Sequence, residues 1–361
     1  MRIPDFTPPA GRTPVDFTPV GDAPLPPEMP AAVQATFCVA QALDRSLKRL
    51  DRQFGNLLKC QPPAEQTVEK LLAGGTAQNL VVEFVEQVQT KRIRQQMWAQ
   101  QLRQCGAELT HCQQALPVES CRYLDARQAH ILRDLQAMHP PPAEIAEAFE
   151  QTVNSSDDFF DKLIELIDLI KNGYLAGYEH IIAAYSDFFA EFNAEITAQL
   201  KDWIEGVNDG KEVKLNVGEL RAALDKLIQK YSLPNPAAVL FPKPGEGGAS
   251  REEAEKWLKA LGLPGSCLKQ NFDGTYCVVI DIGPLLIMQH ELPQGGTVTW
   301  DTARFQAWQA GFNAQEEQLK NRLQSLTQKY SNANAYHDNF NKTLSSHLSQ
   351  YADMLKAMLN F

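Results

Sequence analysis

Two stretches of this chain, each about fifty residues long, place apolar side chains at steps of three and four, the spacing that keeps one seam of an α-helix turned toward a partner helix. The first stripe runs Phe160, Leu163, Ile167, Ile170, Tyr174, Tyr178, Ile181, Tyr185, Phe188, Phe192, Ile196, Leu200 and Trp203. The second runs Phe305, Trp308, Phe312, Leu319, Leu323, Leu326, Tyr330, Ala333, His337, Phe340, Leu344, Leu348, Tyr351 and Leu355. A slip of one residue between Tyr174 and Tyr178 reads as a stutter in the heptad pattern. Each segment spans ~75 Å as a helix. Two such stripes most simply bury each other as one long antiparallel intramolecular coiled coil. Each large apolar side chain contributes ~1.5 to 3 kcal/mol there before ordering costs. The spacing assigns residues 143–205 and 300–361 to the two coil helices. The first opens near Ser155 or Ser156, with Asp157 and Asp158 suited to its positive end. An antiparallel register brings Tyr336 and His337 opposite Gly173 and Gly177, which are expected to make room for them.

The remaining sequence divides around this rod. Residues 1–30 are rich in proline and repeat PDFTP as VDFTP. They have little to bury and read as a disordered leader, either a linker or an address for an export machine. From residue 31 to 139 three amphipathic segments follow, predicting a helical-hairpin domain. Thr76 is expected to cap the second of these, and Pro140, Pro141 and Pro142 close the domain. Residues 206–299 differ again. SREE reads as a capping box, and Asp273-Gly274 lies between strand-like runs as a hairpin signal. The fold class is therefore mainly α: a long coiled coil, an N-terminal helical hairpin, and a small mixed α/β insert between the coil helices.

Charge and motifs exclude several functions. A net charge of -10 gives no basic face for nucleic acid or for an anionic membrane surface. No run of ~18 to 20 apolar residues predicts a transmembrane segment, and the N-terminus lacks the apolar core of a cleaved secretory signal. PGEGG lacks the Lys-Ser/Thr of a phosphate loop, and HExxH, GxSxG and GxGxxG are absent. Cys105, His111, Cys112 and Cys121 are imaginable as a metal cluster but are explained equally by core packing. Cys267 and Cys277 flank the hairpin without being directly opposed, so no disulfide is expected. His337 and His347 read as packed edge residues, with a protonation switch as the alternative. No catalytic residue, cofactor or metal site is predicted.

The C-terminal helix also carries Asn332, Asn334, Asn339 and Asn341, all placed outside the seam by the heptad register. They cost ~2 to 3 kcal/mol together in helix propensity. Neutral surface drift explains them; so does a polar docking face, since amides desolvate more cheaply than charges.

Three blocks, FFDKLIELIDLIKNGYLAGYEHIIAAYSDFFAEFN, DGKEVKLNV and WDTARFQAWQAGFNAQEEQLKNRLQSLTQKYSNAN, closely resemble the needle-tip proteins of type III secretion systems, the IpaD, SipD and BipD family. The likeness covers roughly residues 155–361. It implies a non-enzymatic virulence protein that caps the needle, regulates effector secretion and supports translocator assembly at the host membrane during cell invasion. The implied location is the bacterial surface at the needle tip, reached from the cytoplasm through the type III apparatus without a cleaved signal. Implied partners are the needle subunit protein, the translocator proteins and further copies of the chain, typically a homopentamer. A bile salt such as deoxycholate is the implied ligand and cue. The hairpin is implied to be a self-chaperone packed on the coil. The resemblance makes Asn332, Asn334, Asn339, Asn341 and Lys342 the candidate needle or subunit interface. The expected coil core is Phe160, Ile167, Tyr174, Tyr178, Ile181, Tyr185, Phe188, Phe192, Phe312, Leu319, Leu323, Leu326, Tyr330, Phe340 and Leu344. From the residues alone, a cytosolic coiled-coil scaffold or adaptor is the alternative.

Overall fold

In a computed structural model, residues 31–59, 69, 77–114 and 116–359 are described. The proline-rich leader at 1–30 and the expected Thr76 cap lie outside the described residues. In chain order come α1 (Ala31–Leu58), α2 (Ala77–Gln114), α3 (Val118–Met138) and the short α4 (Ala146–Val153). A nearly continuous stalk helix follows, made of α5 (Phe159–Asp168), a π-helical stretch (Leu169–Leu175), α6 (Ala176–Phe192), a second π turn (Asn193–Thr197) and α7 (Leu200–Trp203). After the insert, α11 (Thr302–Met358) runs for 57 residues.

The two stalk helices pack antiparallel. Phe160 meets Tyr351 at 6.3 Å between ring centroids, Tyr174 meets Tyr336 at 5.9 Å, and Phe192 meets Phe312 at 6.5 Å. Numbers rise along one helix as they fall along the other. Both π stretches sit where the first stripe steps by four in succession, twice at Ile170–Tyr174–Tyr178 and three times at Phe188–Phe192–Ile196–Leu200. An α-helix turning every 3.6 residues loses phase there, and one wider turn restores the seam. The sequence slip at Tyr174 is thus a π turn; the second was not anticipated.

The stalk opens later than the spacing suggested. Asp158, rather than Ser155 or Ser156, is the N-cap, and its carboxylate accepts from Phe160 N at 2.8 Å. Residues 143–158 are not part of the rod. Within them α4 is a separate helix that packs Phe149 against Phe340 of α11 at 6.2 Å.

Near its base, α11 is covered on several sides. α1 and α2 form a hairpin around Leu43, Leu50, Phe54, Leu57, Trp98, Leu102, Cys105 and Leu109, with Phe54 and Trp98 at 6.1 Å. Lys356 on α11 pairs with Asp44 of α1 at 3.4 Å, and Gln128 of α3 donates to the Tyr351 hydroxyl at 2.8 Å. The stalk is a two-helix coil only in part; its lower half is the spine of a helical bundle.

The insert contains two small antiparallel sheets. Strands β1 (Ile204–Val207), β2 (Glu212–Leu215) and β6 (Val298–Asp301) form the first, in the order β1-β2-β6. Because β1 leaves the first stalk helix and β6 leads into α11, this sheet ties both stalk helices at one end. Strands β3 (Val239–Phe241), β4 (Leu268–Gln270) and β5 (Tyr276–Val279) form the second, in the order β3-β5-β4. Asp273-Gly274 makes the β4–β5 turn, with Gly274 at φ +85°. Helices α8 (Val217–Lys230), α9 (Arg251–Leu261) and α10 (Gly283–His290) complete the unit. The Ser250–Glu253 capping box opens α9 as the sequence indicates.

Trp257 of α9 anchors the insert on the stalk, packed against Tyr178 at 5.1 Å and stacked on Phe241 at 4.8 Å. This corrects the expected role of the stalk glycines. A Cβ on Gly177 would lie 2.6 Å from Trp257, and the atoms nearest Gly173 belong to Leu169 and Ile145. Tyr336 does come beside the π stretch, but on Tyr174. The extra residue in that turn rotates Gly177 away from α11 and toward the insert.

Candidate interaction surface

The lower half of α11 divides its polar residues between two environments. Asn332, Asn339 and Lys342 are exposed. Gln328 donates to Asn332 at 3.1 Å, ordering that amide on the outer face. Asn334 and Asn341 are instead buried, at 7% and 1% exposure. They must be removed from the candidate surface. A two-helix register leaves these positions free, but the α1–α2 hairpin packs on this side of α11: Lys91 of α2 bonds Asn334, and Ser345, one turn beyond Asn341, donates to Asp51 of α1. One signal was available: Thr327, Asn334 and Asn341 recur every seven residues beside the apolar seam, and all three are buried.

The α2–stalk seam carries charge where apolar packing would be expected. Lys91 of α2 is 1% exposed; its ammonium donates to Asn334 Oδ1 and lies 3.5 Å from the Asp338 carboxylate. Asp338 also contacts His337 Nδ1 at 3.0 Å, and Asn341 Nδ2 lies 2.9 Å from His337 Nε2. Arg92 pairs with the buried Glu179 at 3.0 Å. Burial works to raise the Asp338 carboxyl, but His337 and Lys91 outweigh it and hold the group below its ordinary value. Burial pushes the His337 imidazole down and the Glu179 carboxyl up, the latter against the opposing pull of Arg92. Neither Lys91 nor Glu179 was singled out from sequence, since charged residues on helices usually face solvent.

Two grooves flank the stalk. One, of about 720 Å³, separates α2 from α5. Arg103 and His111 line one wall, Asp158, Asp161 and Glu165 the other, and Phe160 and Ile164 supply apolar surface. Arg103 crosses it to Asp168 at 2.9 Å. The second, of about 550 Å³, lies between α6 and the insert and includes Ala184, Asp187, Tyr231, Pro236 and Pro244.

The expected coil core residues are all buried, but several face the insert as well as the opposite stalk helix. Tyr178 packs on Trp257, and Phe188 meets Tyr231 at 4.9 Å. Cys105, Cys112 and Cys267 are buried thiols, each pushed up to about 11 by burial, and Cys277 donates to Asn271 at 3.4 Å. His347 is half-buried at the α3–α11 edge, 4.0 Å from Asp134. Among the described residues no His, Cys, Asp and Glu cluster is arranged to hold a metal, and no helix is long and apolar enough to cross a membrane.

A family model described as type III secretion systems tip complex components matches residues 56–359. The chain is 41% identical over 215 residues to the cell invasion protein SipD of Salmonella typhi, covering 58% of this chain and 63% of that protein. It is 38% identical over 230 residues to the invasin IpaD of Shigella flexneri, covering 63% of this chain and 67% of the relative. The match thus spans less than two thirds of SipD. Among solved structures, a pathogenicity island 1 effector protein from Chromobacterium violaceum superposes with a TM-score of 0.60 at 30% identity, over 89% of this chain and 99% of that one.

Proposed function

The chain belongs to the family of type III secretion tip complex components, and from that premise we propose that it caps the secretion needle, restrains effector release and supports assembly of the translocator proteins at the host membrane. Proteins of this family are structural and regulatory, and the chain is not an enzyme. It works by presenting surfaces. The observation that carries the reading is the stalk itself: two helices packed over most of their length, tied at one end by the β1-β2-β6 sheet, with exposed amides on the lower part of α11. A rod of this kind holds a contact face at fixed orientation with little ordering cost on binding.

Asn332, Asn339 and Lys342 form the part of that face assigned to the needle or to a neighbouring copy. Five copies around the tip are the expected assembly, and the α1–α2 hairpin acts as a self-chaperone on the stalk. A bile salt such as deoxycholate is the expected small-molecule cue. The protein leaves the cytoplasm through the type III apparatus and resides at the needle tip.

Replacing Asn332 and Asn339 with Arg, and Lys342 with Glu, tests the contact face. Needle-tip occupancy and control of effector secretion are expected to fall while the helical circular dichroism stays at the wild-type level. Wild-type occupancy in the triple variant would overturn the assignment of this face.

A further inference from the structure

We propose that the α2–stalk seam around His337 is a proton-operated latch, in which uptake of one proton loosens the α1–α2 hairpin from the stalk. The reading concerns the folded chain alone and does not depend on needle binding. Its basis is a charge count around two buried side chains and a carboxylate that is 28% exposed. His337 is 2% exposed and Lys91 is 1% exposed. Asp338 is the carboxylate that both contact, at 3.0 Å and 3.5 Å. With the imidazole neutral, Lys91 and Asp338 balance. A neutral ring that donates from Nδ1 to Asp338 and accepts at Nε2 from Asn341 Nδ2, 2.9 Å away, satisfies both of its nitrogens. A second proton leaves two buried cations sharing one carboxylate that itself reaches water on part of its surface.

The surrounding charges do not relieve that excess. Lys171, facing His337 from the π stretch, is itself a cation; it is bound to Asp168 at 3.1 Å, and Asp168 is shared with Arg103 of α2. Glu179 of α6 is engaged by Arg92 of α2. From α1, Asp51 reaches Ser345, about two turns further along α11. The seam is also incompletely satisfied: Gln95 Nε2 and Trp98 Nε1 on α2 and Asn341 Oδ1 on α11 are buried without a hydrogen-bond partner among the described residues. A partly satisfied polar seam holds less firmly than an apolar one and responds more to a change of charge.

The sign follows from linkage. Burial depresses His337, so the undocked form binds the proton more readily. Docking conferred by the neutral ring is intact above the ordinary histidine value near 6.5 and is lost as pH falls below it. Glu179, whose carboxyl is raised, has the opposite sign and favours docking toward acid.

Amide hydrogen exchange on the full chain at pH 7.5 and pH 5.5, corrected for the intrinsic exchange rate, reads the latch. Protection of α2 is expected to fall about five- to tenfold at the lower pH, the ceiling for one proton with an undocked value near 6.5. Protection in α8 should hold; α6 is no control, because its own half-buried His180 contacts Val239 of the insert at 3.0 Å. His337→Gln is expected to reduce the fall to less than twofold. Lys91→Met, which keeps seam volume and removes the competing cation, should do the same and decides the question should the first variant misfold. Glu179→Gln should retain the fall. Unchanged α2 protection in the wild type, an undiminished fall in the His337 or Lys91 variant, its disappearance in the Glu179 variant, or loss throughout the molecule at once would each overturn the proposal.

Discussion

Gly177 offers a sharp test of how the insert is seated on the stalk. Replacing a helical glycine with alanine normally stabilises by about 1 kcal/mol, because the unfolded chain loses freedom and the helix gains a better former. At Gly177 the added methyl would sit 2.6 Å from Trp257 Cη2 and 3.1 Å from Cζ2. Trp257 cannot easily yield: it is 3% exposed and is stacked on Phe241 while packed against Tyr178. Overpacking of this kind costs about 1 to 3 kcal/mol, so the net effect of Gly177→Ala is a loss of about 1 kcal/mol, within a range of about 0 to 2. Gly55 in α1 supplies the reference, since a Cβ there meets nothing within 4 Å. Gly55→Ala should stabilise by about 0.8 to 1 kcal/mol. The gap between the two variants, about 1 to 3 kcal/mol, isolates the clash with the tryptophan. Urea unfolding followed by circular dichroism measures both. Adding Trp257→Leu to Gly177→Ala should recover at least about 1 kcal/mol of coupling. Equal stabilisation by the two alanines would refute the seating of Trp257 against Gly177.

Three further outcomes follow from the packing. Lys91→Ala leaves Asp338 and Asn334 without their buried partner and empties part of the seam, so it should destabilise by at most about 3 to 5 kcal/mol; Lys91→Met loses the same charge but keeps the seam filled and should cost less by the cavity alone, as urea unfolding will register. Asp158→Ala removes the cap of the first stalk helix and should cost about 1 kcal/mol on the same scale. The Cys105, Cys112 and Cys267 thiols, pushed up to about 11 by burial, should resist iodoacetamide at pH 8 until denaturant is added, with mass spectrometry counting the adducts.

The parts of this molecule that local chemistry determines are readable from its residues. Steps of three and four drew both stalk helices, SREE drew a capping box, and Asp273-Gly274 drew the β4–β5 turn. What escaped depends on third partners. Asn334 and Asn341 lie outside a two-helix seam and become interior because the α1–α2 hairpin packs on that side of α11. Gly177 faces Trp257, eighty positions along the chain, a contact no local spacing announces. Of the five residues first assigned to the contact face, Asn332, Asn339 and Lys342 keep a surface position. The second π turn is hidden because consecutive steps of four look like ordinary helix, although they mark where α-helical phase and seam part company.

On the proposed function this stalk ends its working life on the end of a secretion needle. Immunogold electron microscopy of a secretion-competent strain tests it most directly. Label is predicted at needle tips and should vanish from the surface when the needle subunit is deleted. Label confined to the cytoplasm, or surface label indifferent to the needle, would rule out a tip role.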